Sequence, residues 1–508
     1  MAKQKIILTL LLFLTALPLW SQTLIDGIYY DLSGTSATVD AKSGVRYSGD
    51  IIIPETVTYE GTTYSVTAIG YGAFSDSSLS SITIPNSVAS IGRRAFYYCT
   101  WLSSVTIGNG VTFIDSEVFL GCRNLRAINV DPENTSYASD NGALFNKDKT
   151  KLLLFPKAKN GSYVIPNSMT TIERYAFSNC RNLSSVTIPD GVTSIEEAAF
   201  RDCTSLTTIN IPDSIITINS DTFYGCESLS SVTISGGVTS IGKDAFSDCD
   251  KLSFKHLNIP NAEIETRAFN GVKIDSLSAK ALKNKAKSIL LADSIKYIAI
   301  NKSCESMPNE VFEDCFSLQS LTIPFVGLNT TAGGADVTLG ALFGTSSNSN
   351  MKAVTQYYSA TGSKTYYMPQ NLEKLTITSP ATRLEYGALY NCSSIKELTL
   401  SSSVTGVSEK ALYGCSGLEH VYAQRALPPG CFENSFEGVN FSAILHVPSS
   451  SKQYYEKATG WKNFFFIQEE APLLVTTAAV PLNGGLIVGS STYERGDMAE
   501  MRDRKSTR

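Results

Sequence analysis

Ile84-Pro85-Asn86-Ser87-Val88-Ala89-Ser90-Ile91-Gly92-Arg93-Arg94-Ala95-Phe96-Tyr97-Tyr98-Cys99-Thr100-Trp101-Leu102-Ser103-Ser104-Val105-Thr106 is one 23-residue unit, and Ile107 opens the next. Its pattern is I-P-x-x-V-x-x-I-x-x-x-A-F-x-x-C-x-x-L-x-x-V-x. Cys99 and Cys122 lie 23 apart, as do Cys180, Cys203, Cys226 and Cys249 in succession, and Cys392 and Cys415. Phe177, Phe200, Phe223, Phe246 and Phe269 keep the same step. The unit recurs about eleven times, and agreement at several positions at once is the mark of a repeat architecture.

The pattern carries its own physics. Leu102, Val105 and Ile107 recur as Leu183, Val186 and Ile188, and as Leu229, Val232 and Ile234. Alternating apolar residues of this kind read as a strand with one face turned in. Val88, Ile91, Ala95 and Phe96 supply a second apolar patch on the return leg. One unit cannot bury both patches. Stacked units can, with rungs ~4.8 Å apart. The fold class is therefore a repeat solenoid: a leucine-rich-repeat-like right-handed coil with one parallel β-sheet, mostly β and loop.

The repeat is bounded and interrupted. Residues 23–68, with Asp26-Gly27-Ile28-Tyr29-Tyr30, read as an N-terminal cap, and 69–426 as the solenoid. Breaks are expected near 131–165, at 251–311, where 275–290 reads as a Lys-rich helix, and at 324–371, a Gly/Ser/Thr/Tyr-rich insertion. Residues 427–470 read as a C-terminal cap, and 471–508 as the first strands of a small β-repeat module cut short. At the other end, Lys3, Lys5, the apolar run Ile6–Leu14 and Ser21 describe a secretory signal peptide over 1–22. The first cysteine is Cys99, which excludes a lipoprotein anchor at the cleavage site.

Charge and motifs narrow the function. The net charge is -5, from 42 basic and 47 acidic residues. That leaves no excess of cations to neutralise phosphates, so nucleic acid is not an expected partner. No C-x-x-C pair occurs, and His256, His420 and His446 are scattered along the chain, so neither a metal site nor any other cofactor is expected. The nucleophile-elbow, zinc-protease and phosphate-loop motifs are missing, so an enzyme is not expected. A glycan-active carboxylate pair is the enzymatic alternative that motifs do not exclude.

The chain resembles the BspA-like leucine-rich repeat proteins of bacterial surfaces. The resemblance rests on the I-P-x-x-V-x-x-I-G-x-x-A-F-x-x-C-x-x-L box, the Asp26–Tyr30 start and the closing segment Tyr454-Tyr455-Glu456-Lys457-Ala458-Thr459-Gly460-Trp461-Lys462. It covers roughly residues 26–470. It implies export, a solenoid and, for some members, adhesion to host matrix proteins or other cells. It implies no catalytic residues.

Candidate sites follow from position in the unit. Cys99, Cys122, Cys180, Cys203, Cys226, Cys249, Cys315, Cys392 and Cys415 share one position. Their Cβ atoms are expected to keep the rung spacing rather than close to ~3.8 Å, which favours a ladder of buried thiols over disulfides. Cys304 and Cys431 lie off that ladder and are the better candidates for a reactive or paired thiol. The outward strand position holds Thr83, Thr106, Asn129, Thr187, Asn210, Thr233, Asn258, Thr322, Thr376, Thr399 and Tyr422. This is either a flat, nearly uncharged binding face with few aromatics or plain strand preference of Thr. Tyr357, Tyr358, Tyr366 and Tyr367 in the insertion are candidate anchors for a partner, or pins for the insertion itself. Lys280, Lys283, Lys285 and Lys287 read as a solvated helix face, and Arg495-Gly496-Asp497 as an ordinary turn. The chain is thus expected to be an exported surface or secreted protein. It would bind a protein or a host matrix or cell-surface ligand through many weak contacts, with a passive spacer as the alternative.

Overall fold

The computed structural model describes residues 22–470 apart from positions 348 and 382. Residues 1–21, most of the expected signal peptide, and 471–508, the expected module with Arg495-Gly496-Asp497, lie outside the described residues. The chain is a β-solenoid of about 17 turns with ~23-residue spacing. It falls into two compact units: Met1–Ser184 with Ala199–Thr204, and Ser185–Ala198 with Ser205–Arg508.

One turn of the first unit shows how the pattern becomes a coil. Strands Ser78–Ile84, Ser104–Ile107 and Ala127–Val130 pair in parallel, with Ile82 beside Val105 and Val105 beside Ile128. Leu102, Val105 and Ile107 point inward and are fully buried. Pro85 then ends the ladder, because it has no N–H to give to the next strand. Val88 and Ile91 cover the core from the return leg, and Ser90–Ile91 pairs with Phe113–Ile114. Arg94 (φ 58°) and Tyr98 (φ 55°) then turn the chain through left-handed conformations on either side of Ala95-Phe96. The same two positions are left-handed at Tyr175 and Asn179, Asp244 and Asp248, and Lys410 and Gly414. The second of them is usually Gly, Asn or Asp, the residues that tolerate this region best.

The phenylalanines stack as a consequence of the rung spacing. Phe96 lies 5.4 Å from both Phe74 and Phe119, with rings within 6° of parallel. In the second unit Phe246 lies 5.2 Å from both Phe223 and Phe269.

The second unit carries one 11-stranded sheet, from Thr217–Ile218 to Phe466–Glu470. This sheet runs straight through 251–311, where Leu257–Ile264, Ser276–Leu282 and Tyr297–Ile300 pair in parallel. The helix expected over 275–290 is not there. Leu277 and Ala279 alternate inward along a strand, and only Ala286–Ser288 forms a 3-10 turn. Both presumed caps also supply rungs. Ser48–Ile52 pairs with Ser78–Ile84, and Ile444–Pro448 and Phe466–Glu470 extend the large sheet. That is why the coil has more turns than the consensus has copies.

The insertion at 324–371 is only partly an excursion. Phe312 N donates to Leu342 O at 2.7 Å and Leu339 N to Ala388 O at 2.9 Å, so Leu339–Phe343 fills a return leg. The antiparallel hairpin Met351–Tyr357 with Ser363–Pro369 is the true addition.

The break at 131–165 holds three antiparallel strands, Tyr137–Asp140, Ala143–Asn146 and Lys151–Leu154. Beyond them, Lys157 comes two residues after Phe155, one short of the Phe-to-Cys step of a regular turn, and its amine lies near Cys122, Cys180 and Cys203. It is 2% exposed, and its Nζ has no hydrogen-bond partner among the described residues. Burial pushes this amine below its usual range, against the pull of the nearby Cys180, Cys122 and Cys203. Folding must therefore strip its proton at any pH between the lowered value and the unfolded one of ~10.4. The cost is absent above that upper value and grows as pH falls. Lys157→Met is expected to raise stability at pH 7 by about 1–3 kcal/mol, with the gain shrinking toward pH 10. Thermal melts of both proteins across this range check it, and a gain independent of pH would rule out the buried amine as its cause.

Candidate functional site

The outward strand positions form columns along each sheet. In the first unit the column is Ile52, Thr83, Thr106 and Asn129. Ile52 is 75% exposed, Thr106 and Asn129 are exposed and Thr83 is half-buried. In the second unit Thr187 is exposed, and Asn210 pairs with Thr233, both exposed. Farther along, Asn258, Ser278, Ala299, Thr322, Thr376, Thr399, Tyr422, His446 and Gln468 follow one another in register. Thr322 and Thr376 are half-buried, and Thr399 is buried at 6% exposure.

This last stretch is neither uncharged nor poor in aromatics. Lys374 bridges Glu397 at 2.9 Å, and Lys396 bridges Glu373 at 2.8 Å, each pair one rung apart. Tyr297 stands 45% exposed on the same face. At the last rungs the Tyr422 and His446 rings stack at 4.2 Å, 16° from parallel. His446 is 7% exposed although it faces outward. Its Nε2 lies 2.9 Å from His420 Nδ1, and its Nδ1 lies 2.5 Å from Glu470 Oε1. An ionised carboxylate only accepts, so His446 Nδ1–H donates to Glu470, and one proton is shared between His446 Nε2 and His420 Nδ1. That network holds both imidazole rings in place at the face. Beside the platform opens a hollow of about 470 Å³, with Ile444, Phe465, Phe466 and Gln468 in its walls and Lys452 at its rim. Phe465 is 74% and Phe466 58% exposed.

The histidines are thus not all scattered. His420 and His446 are 26 residues apart in sequence, but parallel register makes them neighbours. No group of three or more His, Cys, Asp or Glu among the described residues has the arrangement to hold a metal ion.

With the coil and its faces in view, comparison with known proteins is decisive. The family model for the BspA type leucine rich repeat region, in six copies, matches residues 55–160, 151–275, 252–332 and 344–459. The chain belongs to this family. The chain is also similar to several solved structures. A leucine-rich repeat protein from Bacteroides ovatus is 18% identical, with 89% of this chain and 100% of that one covered and a TM-score of 0.40. Another from Eubacterium ventriosum is 20% identical, over 74% and 82%, with a TM-score of 0.36. A leucine rich cell surface protein from Faecalibacterium prausnitzii is 21% identical, over 79% and 94%, with a TM-score of 0.34. No curated protein matches the chain.

The other candidate residues of this BspA-type chain find places inside the coil. None of the eleven cysteines is disulfide-bonded. Ladder thiols donate to the carbonyl of the aromatic or Leu residue one turn back: Cys99 to Phe74 at 2.9 Å, Cys122 to Phe96 at 3.0 Å, Cys203 to Phe177 at 3.1 Å, Cys249 to Phe223 at 3.2 Å and Cys415 to Leu389 at 3.0 Å. At Cys180 the distance to Phe155 stretches to 3.9 Å, beside the irregular rung of Lys157. Cys226 and Cys315 are fully buried at the same position. Burial pushes Cys99, Cys180, Cys249 and Cys415 up to about 12. Thiols in that state are poor nucleophiles. Off the ladder, Cys304 is buried and bonded to Ser306 O at 3.2 Å, and burial pushes Cys431 up to about 11. Neither has the lowered value of a reactive thiol.

The lysine cluster is paired rather than open. Lys280 and Lys283 bind Glu263 at 2.9 and 2.7 Å, and Lys285 binds Glu310 and Glu313 at 2.6 and 2.7 Å. Lys287 binds Glu313 at 2.9 Å and Asp314 at 3.1 Å. Burial opposes ionisation of Glu313, but its bonds to Lys285 and Lys287 overcome this and hold it down at about 2.

Of the four insertion tyrosines, Tyr366 is the one packed into the coil. Tyr366 is 1% exposed and donates to Ala335 O at 3.2 Å, so it offers a partner no surface. Tyr357 lies 5.0 Å from Tyr390, which stacks on Tyr413 at 4.5 Å. Tyr358 and Tyr367 are half-buried. What fastens the hairpin is the buried Gln356. Its Oε1 accepts from Gly340 N at 2.7 Å, and its Nε2 donates to Tyr390 O at 3.1 Å and to Cys392 Sγ at 3.3 Å. Gln356→Ala strands a buried donor and a buried acceptor, and should cost about 1–3 kcal/mol. Hydrogen exchange across 351–369 should quicken in the variant. Unchanged exchange and an unchanged melting temperature would show that the hairpin is held by its rings alone.

Proposed function

We propose that this BspA-family chain is an exported surface protein. It binds a protein partner across the outer sheet face of its second unit, with Tyr422, backed by the buried His446, at the centre of contact. Export is supported by Lys3, Lys5 and the apolar run Ile6–Leu14. No helix among the described residues is long and apolar enough to cross a membrane.

One observation carries the binding reading. Tyr422 and His446, the latter part of a carboxylate–His–His chain, interrupt a column otherwise built of Asn, Ser, Ala, Thr and Gln. Their side chains are locked before any partner arrives, which lowers the entropy lost on binding. Aromatic groups held next to exposed Phe465 and Phe466, with Lys/Glu pairs to one side, match the usual layout of an energetic centre within a polar surround. Such a centre departs from the evenly distributed contacts that a uniform Thr face would give.

The test uses the full chain passed over immobilised matrix proteins and mucin. Tyr422→Ala is expected to weaken saturable binding by roughly thirtyfold, the scale of a strong contact residue. Thr106→Ala should leave it unchanged. If the two variants behave alike, recognition is spread along the coil. If nothing on the panel binds, the spacer reading gains.

A further inference from the structure

A second groove lies in the first unit, far along the sequence from Tyr422. It is walled by the loop Ala41–Arg46, by the turn Tyr71–Asp76, and by Arg94 and Tyr97 of the next turn, and it holds about 370 Å³. The left-handed residues Gly72, Asp76 and Arg94 shape two of these walls. The volume falls within the range of small-ligand sites.

The groove is basic in an acidic chain. Lys42, Arg46 and Arg94 line it against the single carboxylate of Asp76. The three cations are held differently. Arg94 is fixed, with Nε 2.6 Å from Glu117 and its guanidinium 4.9 Å from the Tyr97 ring centre. Glu117 is shared with Arg93 at 2.6 Å, so its charge is already divided. Arg46 reaches Asp76 only at 3.9 Å, with both side chains more than half exposed, a contact worth little in water. Lys42 lies 5.5 Å from the Tyr29 ring centre and has no carboxylate partner among the described residues. Tyr71, 62% exposed, presents a ring at the edge of the groove.

We propose that this groove binds the carboxylate-bearing ring of an acidic sugar. The planar guanidinium of Arg46 suits a carboxylate held by two parallel hydrogen bonds, with Lys42 adding charge. Tyr71 offers a flat face for the C–H side of a pyranose. Asp76 accepts from sugar hydroxyls, and its negative charge disfavours a doubly charged phosphate in the same space. Sialic acid and uronic acid share this chemistry.

The full chain is titrated by calorimetry with sialyllactose, with a glucuronate-containing oligosaccharide, with neutral lactose and with inorganic phosphate. One or both acidic sugars are expected to bind while lactose and phosphate do not, and the responding arm names the source. Arg46→Gln and Tyr71→Ala should each weaken that binding about tenfold or more, the scale of one charge-assisted bond or one ring contact. Circular dichroism should show the same melting temperature for both. Binding of neither acid, binding of phosphate alone, or acid binding untouched by both substitutions overturns the proposal. None of these outcomes bears on Tyr422, because the two sites share no residue.

Discussion

The coil of this molecule is placed by the parallel hydrogen bonds that join a strand to the one about 23 residues further on. They fix a spacing of ~4.8 Å, and equivalent side chains inherit it. The stacked phenyl rings of the core stand 4.8–5.4 Å apart because their backbones are stacked rung on rung. The thiols meet carbonyls rather than one another for the same reason. Where two aromatic side chains occupy successive outward positions they have little choice but to stack, as Tyr422 and His446 do.

Most of the fold was legible because the constraint repeats. Val105, Phe96 and Cys99 are each the local instance of a rule written many times over. Even the left-handed residue before the ladder thiol had a signal, since Asn179, Asp202, Gly225, Asp248 and Gly414 all occupy it. Tyr98 breaks that preference at φ 55°, which no propensity would suggest. Reading failed where the repeat decayed. Ser276–Leu282 carries small and charged residues that fit a helix or a strand equally, and only pairing with both neighbours settles it.

The candidate site was less legible, and for a related reason. Counting from Thr399 by one rung reaches Tyr422, and by one more reaches His446, but only if 427–470 is part of the coil rather than a cap. Reading those residues as a cap hid the meeting of His420, His446 and Glu470. The tyrosines of 357–367 left two readings open, anchors for a partner or pins for the insertion. Tyr366 takes the second role, and with Gln356, which no pattern singled out, it fastens the hairpin to its own coil. The Lys280–Lys287 run needed the position of Glu263, Glu310 and Glu313 on adjoining turns, which no local pattern contains.

The same neighbour-only bonding has a mechanical consequence. Within each unit a turn is held by the turn before it and the turn after it, and by little else. Tension applied along the chain therefore falls on one end rung at a time. Each rung that peels away releases roughly 75 Å of slack at full extension, while the remaining coil keeps its form. A protein of this build tethered between two surfaces would yield in instalments, lengthening under a tug without surrendering the contacts still folded further along.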